Sequence, residues 1–264
     1  MEIYLPIAEM SVHWLIILGM GGAVGFLSGM FGVGGGFLLT PLLIFYGIPS
    51  EVAVATTASH ITASSMAGVI AHWKRRSVDF TMAGVLLAGG LMGTSIGVYL
   101  FKLLREAGQS EFVVSAGYVI LLGTVGGLML RESLETLRAA RSGNPLPARP
   151  AQHHNWIHGL PFKMRFRQSR LYISVFPPLV LGFVVGILSA IMGVGGGFIL
   201  VPAMIYLLRM PTNIVIGTSL FEVLFVTAAS TILHAINDYS VDIMLAALLI
   251  VGGVVGVQFG VRMG

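Results

Sequence analysis

The chain has no cysteine, and charged residues are scarce. Only 10% of its 264 residues are Asp, Glu, Lys or Arg, whereas an ordinary soluble domain carries about 25%. So few charges cannot cover the surface of a soluble protein of 28.0 kDa, and a mean hydropathy of +0.90 excludes a disordered chain. The absence of cysteine excludes disulfides, thiolate metal sites and a cysteine nucleophile. These absences predict an integral membrane protein.

Long apolar stretches indicate how the chain crosses the membrane. A helix needs about 20 apolar residues to cross a bilayer. Stretches of about this length are 12–30, 52–71, 80–101, 112–130, 173–192, 214–233 and 243–261. Two runs of about half that length, 37–47 and 198–208, directly follow clusters of glycines. The pattern predicts an all-α, polytopic membrane protein that contains two hairpins, each made of a helix broken at glycines and the half-helix that follows.

Positive charge is concentrated in the central stretch 131–170, which contains eight basic and two acidic residues. The positive-inside rule therefore predicts a cytoplasmic loop that contacts anionic lipid headgroups. The run Lys74-Arg75-Arg76 lies two predicted spans earlier, so it falls on the same side. Because the stretch lacks any recognisable nucleic-acid-binding module, we expect no nucleic-acid partner.

The sequence contains one pattern twice. Residues 25–41 and 186–202 align at an offset of 161, and each copy has a Gly-Val-Gly-Gly-Gly-Phe element followed four residues later by proline. Thr57 matches Thr218 at the same offset. A Ser-Val-Asp element recurs farther on at an offset of 163, which we attribute to two extra residues in the second connecting loop. Such a duplication predicts two related transmembrane repeats.

The loops of the two repeats differ in charge. The loop at 74–76 is basic, whereas its second-half equivalent at 235–239 has no basic residue. The two loops are therefore expected on opposite sides of the membrane, which makes the repeats inverted, as in many secondary transporters. The first repeat also has a last helix without a counterpart, so we expect the natural chain to continue by one more helix. The predicted organisation is a first repeat at 1–130, a basic loop at 131–171 and a second repeat at 172–264.

The glycine breaks are the first candidate binding elements. A non-helical break within the membrane survives only inside protein or along a wet cavity, because unpaired backbone groups in lipid are costly. Helices that begin after such breaks present free N–H groups and a positive dipole end, which favours an anion. Close helix packing is the alternative explanation of the glycines, and a Walker or Rossmann site is excluded because no Lys-Ser/Thr follows. The candidate residues are Gly34, Gly35, Gly36, Gly195, Gly196 and Gly197.

Polar residues in the long helices that follow the breaks are the second set of candidates. Their hydroxyls can donate hydrogen bonds to anionic oxygens, or they can bond to carbonyls of their own helix. These hydroxyl residues are Thr57, Ser59, Thr218 and Ser219. His60 and Glu222 are ionisable groups within predicted spans, which makes them candidates for proton coupling, with a structural role as the alternative. His72 and His234 lie near helix ends and are expected at the interface.

Three further features have structural explanations. Asp79 and Asp242 follow a Ser-Val pair at predicted helix starts and are expected to act as N-caps. Glycines spaced by four, such as Gly89 and Gly93, predict close helix contacts. The sequence 93–97 has the Gly-x-Ser-x-Gly spacing of a serine hydrolase, but it lacks the strand–turn–helix setting, has no evident histidine partner and is not repeated in the second copy. We expect no enzyme activity, no cofactor and no metal site.

These motifs resemble the TauE/SafE family of sulfite and organosulfonate exporters. The resemblance rests on the twin Gly-Val-Gly-Gly-Gly-Phe elements, on Gly217-Thr218-Ser219 and on the Gly-Gly-x-x-Gly-x-x-x-Gly helices. The first copy departs from the pattern, with Thr56-Thr57-Ala58 in place of Gly-Thr-Ser. The resemblance implies export of small sulfur-containing anions across the bacterial inner membrane, with the two glycine segments lining the substrate pathway. An ion channel and a scaffold that binds a partner through the central loop are the alternatives.

Overall fold

A computed structural model describes residues 2–31, 34–75, 77–142, 162–166, 168–169 and 171–263. In these residues the chain forms nine α-helices and two short β-hairpins. The helices are α1 (Trp14–Phe31), α2 (Gly36–Phe45), α3 (Ser50–Lys74), α4 (Phe80–Glu106), α5 (Ser110–Ser142), α6 (Phe176–Met192), α7 (Gly197–Tyr206), α8 (Thr212–Asn237) and α9 (Ile243–Met263). The hairpins pair β1 (Glu2–Leu5) with β2 (Met10–His13), and β3 (Lys163–Phe166) with β4 (Leu171–Ser174), both antiparallel.

The helices confirm an all-α polytopic membrane protein. Five of the described helices, α1, α4, α5, α8 and α9, are long and apolar enough to cross a membrane. The two half-length helices are also present, since α2 and α7 each have ten residues. Pro41 and Pro202 lie inside these two helices. The sequence did not predict the two β-hairpins, which directly precede α1 and α6.

Each half-length helix doubles back along the helix before it. The start of α2 lies beside the middle of α1, where Gly35 contacts Val24. Its far end lies beside the start of α1, because the His13 amide donates to the Tyr46 hydroxyl at 3.4 Å. Stretch 12–30 is therefore one arm of a hairpin made of a helix and a half-length helix, which confirms the prediction. The second copy repeats the contact between Gly196 of α7 and Val185 of α6.

Glycines bring pairs of helices into backbone contact. In α1, Gly21 faces Leu249 of α9 and Gly29 faces Val257, so the residue numbers rise together and the two helices are parallel. In the same way, Gly89 and Gly93 of α4 lie against the backbone of α6. The predicted small-residue contacts are confirmed, and each joins a helix of one repeat to a helix of the other.

The two long helices α3 and α8 cross in opposite directions at the centre. The hydroxyls of Thr62 and Thr227 share a hydrogen bond of 2.9 Å, while Gly68, farther along α3, contacts Leu220, which comes earlier in α8. Because one set of numbers rises as the other falls, α3 and α8 are antiparallel. This crossing connects the repeats through their matched helices.

The central basic stretch is only partly a loop. Helix α5 continues to Ser142, so the first part of the predicted loop 131–171 is helical. Strands β3 and β4 then precede α6. The predicted linker at 142–152 lies, apart from Ser142, outside the described residues.

Candidate functional site

The two glycine segments meet at the centre of the molecule. A side chain on Gly36 would lie 2.6 Å from the Gly193 carbonyl oxygen and 2.7 Å from that of Val194. The Thr40 hydroxyl donates to the same Gly193 oxygen at 3.2 Å. The segments, here called the tips (residues 34–36 and 193–197), therefore touch through their backbones, and the closest atoms facing Gly36 from the other tip are carbonyl oxygens.

Aromatic residues join the tips directly after the glycines. Phe37 and Phe198 occupy equivalent first-turn positions, and their rings stack with centroids 4.2 Å apart and an interplanar angle of 10°. Each helix following a tip is preceded by a glycine in the left-handed region, Gly35 with φ +72° and Gly196 with φ +77°. Glycine is needed there because other residues adopt this conformation at a cost. Neither glycine supplies a side-chain cap, so both helix starts keep their positive dipole ends uncapped by side chains.

One face of α3 packs against the tips. Val54 contacts Gly193, and Ile61 contacts Gly36 and Gly195. Thr57 lies between them, three residues after Val54 and four before Ile61, so it shares this helix face. Its hydroxyl is buried and has no hydrogen-bond partner within the described part of the chain. Thr57 is therefore a donor held beside the tips and not used by the fold.

A matching face of α8 approaches the same tips. Val223 lies against Gly34, and Ser219 precedes it by one turn. Ser219 is buried, and its hydroxyl donates to the Ile216 carbonyl at 3.0 Å. The tips therefore lie between two hydroxyl residues, Thr57 and Ser219, of which Ser219 is engaged with its own helix.

The Thr218 hydroxyl is engaged in hydrogen bonds with backbone groups of the protein. It accepts a hydrogen bond from the Asp79 amide at 3.0 Å and donates to the Ile214 carbonyl at 2.7 Å. The equivalent contact in the other half is made by Thr56, whose hydroxyl accepts from the Asp242 amide at 3.1 Å. The structure thus matches Thr218 with Thr56 and not with Thr57, and both threonines face away from the tips.

This contact corrects the alignment of the repeats. Helices α3 and α8 are related by an offset of 162, because Pro49 and Pro211 are their equivalent N-cap residues. Compared with the first copy, the second copy therefore has one extra residue before α8 and another after Thr218. The sequence alignment had assigned both extra residues to a single loop. In this alignment Ala55-Thr56-Thr57 corresponds to Gly217-Thr218-Ser219, so both copies contribute two hydroxyls.

Both capping aspartates act as predicted and also join the repeats. Asp79 accepts from the amides of Thr81 and Met82 at the start of α4. Its second carboxylate oxygen accepts from the amide and hydroxyl of Ser169, between β3 and β4, at 2.9 and 2.6 Å. Asp242 caps α9 in the same way, and the amide of Ile7, between β1 and β2, donates to it at 2.9 Å. Each aspartate thus joins the start of its own helix to a turn between two β-strands, and we call each of these two sets of contacts a latch.

His60 and Glu222 occupy equivalent notches made by glycines. The His60 ring lies against Gly253 of α9, and a side chain on Gly90 of α4 would lie 2.8 Å from Glu222 Oε1. Both side chains are fully buried and form no hydrogen bond of normal geometry with the described residues. The offset of 162 relates them, but His60 faces α9 and Glu222 faces α4 instead of the tips.

Ser59 and His234 are also placed differently from the expectation. Ser59 follows Thr57 by two residues, which puts it on roughly the opposite side of α3 from the tips. Its hydroxyl is buried without a partner among the described residues. His234 is fully buried instead of interfacial, with ring nitrogens 2.9 Å from Asp238 Oδ2 and 3.0 Å from the Ala190 carbonyl oxygen.

Sequence reasoning missed Tyr118 of α5. Its hydroxyl donates to the Met192 carbonyl at 2.7 Å, directly before the second tip, and lies 3.5 Å from the Gly36 carbonyl of the first. Tyr118 is buried, and the hydroxyl of a buried tyrosine usually finds a hydrogen-bond partner. A tyrosine within an apolar stretch was therefore the available signal, but the sequence does not indicate which element provides the partner. The Tyr118 hydroxyl therefore stabilises the contact between the two tips.

The alternative chemistries have little geometric support. Ser95 lies within helix α4, is exposed, and donates its hydroxyl to the Leu91 carbonyl of the same helix at 2.9 Å. The part of the chain that the structure describes contains no group of three or more His, Cys, Asp or Glu residues that could hold a metal ion. The candidate site therefore consists of backbone tips and hydroxyls.

These features define a polytopic membrane protein in which two glycine-broken hairpins meet between two crossed helices. The family model for the sulfite exporter TauE/SafE matches residues 17–264, so the chain belongs to this family. The chain is 33% identical to a probable membrane transporter protein of Xylella fastidiosa, covering 95% of this chain and 85% of that protein. It is 30% identical to the probable membrane transporter protein YjnA of Bacillus subtilis, covering 92% and 87%.

A shorter match links the chain to a plant protein. Sulfite exporter TauE/SafE family protein 5 of Arabidopsis thaliana is 30% identical over 38% of this chain and 23% of its own length. No solved structure matches the chain. The chain is therefore a multi-pass membrane transporter family member.

Proposed function

We propose that the protein is a secondary transporter that exports small sulfur-containing anions, such as sulfite, sulfoacetate or related organosulfonates, by alternating access. The observation that carries the proposal is the meeting of the two tips beside Thr57 and Ser219. Helix starts without side-chain caps attract anions, and a sulfonate or sulfite group has several oxygens that accept hydrogen bonds. Such a site holds negative charge without a buried Lys or Arg.

Binding requires the tips to separate. The Gly193 and Val194 carbonyl oxygens would lie 2.6 and 2.7 Å from a Cβ atom on Gly36, so the described arrangement leaves no room for a substrate between the tips at this point. Movement of one helical hairpin relative to the other would remove those carbonyls and unstack Phe37 from Phe198. The Thr57 hydroxyl, which has no partner in the described residues, is then available as a donor. Ser219 would have to release the Ile216 carbonyl to act in the same way.

We infer that the two halves are inverted repeats, and this inferred relation is the basis for proposing alternating access. The matched helices α3 and α8 are antiparallel, and each half contributes one aspartate latch. Antiparallel halves put the Asp79 latch and the Asp242 latch at opposite ends of the helices. Opening one latch at a time would expose the tips to one side of the membrane and then to the other.

The proposed location is the bacterial inner membrane, with the central stretch 131–171 in the cytoplasm. Its excess of basic residues supports this orientation. Protons are the proposed coupling ion, and Glu222 and His60 are the candidates to carry them, because buried ionisable groups in spans are usually functional. Coupling is abandoned if Glu222→Gln and His60→Gln proteins retain full flux driven by a pH gradient.

The decisive experiment measures flux of sulfite and sulfoacetate in liposomes containing the purified protein. Thr57→Val is expected to raise KM by a factor of about 10 to 150, because losing one hydrogen bond to a charged group costs about 1.5–3 kcal/mol. Thr124→Val is the matched control, since Thr124 is exposed on α5 and its hydroxyl bonds to its own helix. The control is expected to transport normally.

Other outcomes distinguish the alternatives. A conductance that is selective for cations and independent of sulfur anions would indicate a channel and overturn the proposal. Equal KM values for Thr57→Val and Thr124→Val would remove Thr57 from the site. Hydrolysis of an ester that is lost in Ser95→Ala would indicate an enzyme instead.

A further inference from the structure

An open groove lies between α3 and α9, outside the candidate transport site. Its volume is about 670 Å³. One wall is apolar and comes from α3, where Met66 and Ile70 are 56% and 48% exposed. The other lining residues are Ala63, Ala67, Ala71, Lys74, Val254, Val257, Gln258, Val261 and Arg262. The groove is therefore an apolar trough with polar groups from both helices at one end.

The polar end carries two positive charges. Lys74 is the last residue of α3, Arg262 is the penultimate residue of α9, and both are exposed. Among the described residues, none that lines the groove is acidic. Lys74 begins the basic run that the charge distribution places on the cytoplasmic side, where the leaflet carries anionic lipids. The two cations are thus positioned to share one negatively charged group.

A third polar side chain lies deeper in the same groove. Gln258 precedes Arg262 by four residues, which places it about 6 Å farther along the helix toward the membrane interior. It is exposed on the outer surface of α9. An amide facing lipid is costly unless it finds a hydrogen-bond partner. The order along the groove is therefore two cations, then an amide, then an apolar wall.

The duplicated half does not repeat this arrangement. The positions equivalent to Lys74, Gln258 and Arg262 are Ile236, Ser95 and Tyr99. The cations and the long amide are therefore not a by-product of the repeat. They occur only at the end of the molecule where the anionic leaflet is expected.

We propose that this groove binds one anionic phospholipid. The phosphate lies between Lys74 and Arg262, a glycerol ester carbonyl accepts from the Gln258 amide, and an acyl chain follows the wall formed by Ala63, Ala67 and Ile70. A second copy of the chain is a poorer occupant, because a symmetric contact through this groove would bring the cations of both copies together. The site is separate from the tips and does not depend on the identity of the transported anion.

The test is native mass spectrometry of the whole protein with phosphatidylglycerol or phosphatidylcholine added at equal concentration. Attraction of an anionic lipid contributes about a fivefold factor per cation, so the Lys74→Gln/Arg262→Gln protein should bind phosphatidylglycerol about 25-fold more weakly. Arg75→Gln is the matched control, because Arg75 is an exposed neighbouring cation outside the groove. It should bind this lipid within about twofold of the parent protein. Gln258→Leu should weaken binding without changing charge.

Three results would overturn the proposal. The first is equal binding of the two lipids by the parent protein. The second is a loss in Arg75→Gln as large as that in the double variant, which would indicate general electrostatic attraction. The third is a dimer that survives removal of lipid and dissociates in the double variant, which would show that a second copy fills the groove. The substituted side chains are exposed, and an unchanged elution volume and helical content verify that each variant is folded.

Discussion

The backbone contact between α1 and α9 predicts opposite behaviour for two glycines only two residues apart. A side chain at Gly21 would lie 2.7 Å from the Leu249 carbonyl oxygen and 3.1 Å from its Cα, whereas one at Gly19 would meet nothing within 4 Å. Both positions are inside α1, so alanine removes the same helix penalty of about 1 kcal/mol at each. The difference between Gly21→Ala and Gly19→Ala therefore isolates the packing contact.

The expected size of that difference follows from the distances. Ordinary contact begins at 3.4 Å, so alanine at position 21 forces α1 and α9 apart by about 0.7 Å. Overpacking of this kind costs about 1–3 kcal/mol. The neighbouring glycine contacts, such as Gly25 with Gly253, belong to the same interface and would be loosened too. Gly19→Ala should be neutral or stabilising by up to about 1 kcal/mol.

Thermal unfolding of the purified proteins in one detergent, followed by circular dichroism, measures the effect. A difference of 1–3 kcal/mol corresponds to about 2–12 °C in Tm for a protein of this size, with Gly21→Ala the less stable variant. Gly182→Ala in α6 is the equivalent change in the second half, since Gly182 faces the Leu86 backbone, and it should behave like Gly21→Ala. A Gly21→Ala protein as stable as Gly19→Ala would refute the reasoning about the helix contact.

Three further predictions concern the latches and the tips. Asp79→Ala removes the cap of α4 and the acceptor for Ser169. The free energy of unfolding, measured by denaturant titration, should therefore fall by about 1–3 kcal/mol. An unchanged midpoint would show that these contacts do not stabilise the fold. Tyr118→Phe leaves the buried Met192 carbonyl without its donor and should lower stability by about 1 kcal/mol, and a Tm equal to that of the parent would argue against this stabilisation. Phe198→Ala removes the aromatic stack at the tips, so the KM for bulky organosulfonates should fall relative to that for sulfite in liposome flux, whereas an unchanged ratio would mean that the stack does not select substrate.

Much of the fold could be predicted because membrane burial leaves a strong signal in sequence. The apolar stretches, the two half-length helices and the duplication all correspond to elements of the structure. Asp79 and Asp242 could be recognised as caps because a cap acts on the next few residues of its own chain. The β-hairpins gave no such signal, since four-residue strands contain too little pattern to stand out.

The candidate site was harder to predict than the fold. The sequence indicates only that the glycine segments line one pathway, whereas in the structure the two segments meet and Gly36 faces carbonyl oxygens of the other tip. Among the hydroxyls, Thr57 and Thr218 were treated as equivalents, yet one lies by the tips and the other binds the Asp79 amide. A single extra residue before α8 changes which hydroxyl faces which neighbour, because successive helix positions differ by about 100°. Alignment by glycines alone cannot detect this rotation.

The sequence by itself determined that this chain lives in a membrane, that its two halves are copies, and that each copy breaks a helix at glycines. These properties depend on local composition and spacing, which can be read directly from the sequence. Only the tertiary structure decided that Thr56 pairs with Asp242 and that His60 and Glu222 lie against glycines of neighbouring helices. Those outcomes depend on the rotation and register of helices far apart in the chain, which are set by close packing between backbones and by the hydrogen bonds that buried polar groups must find.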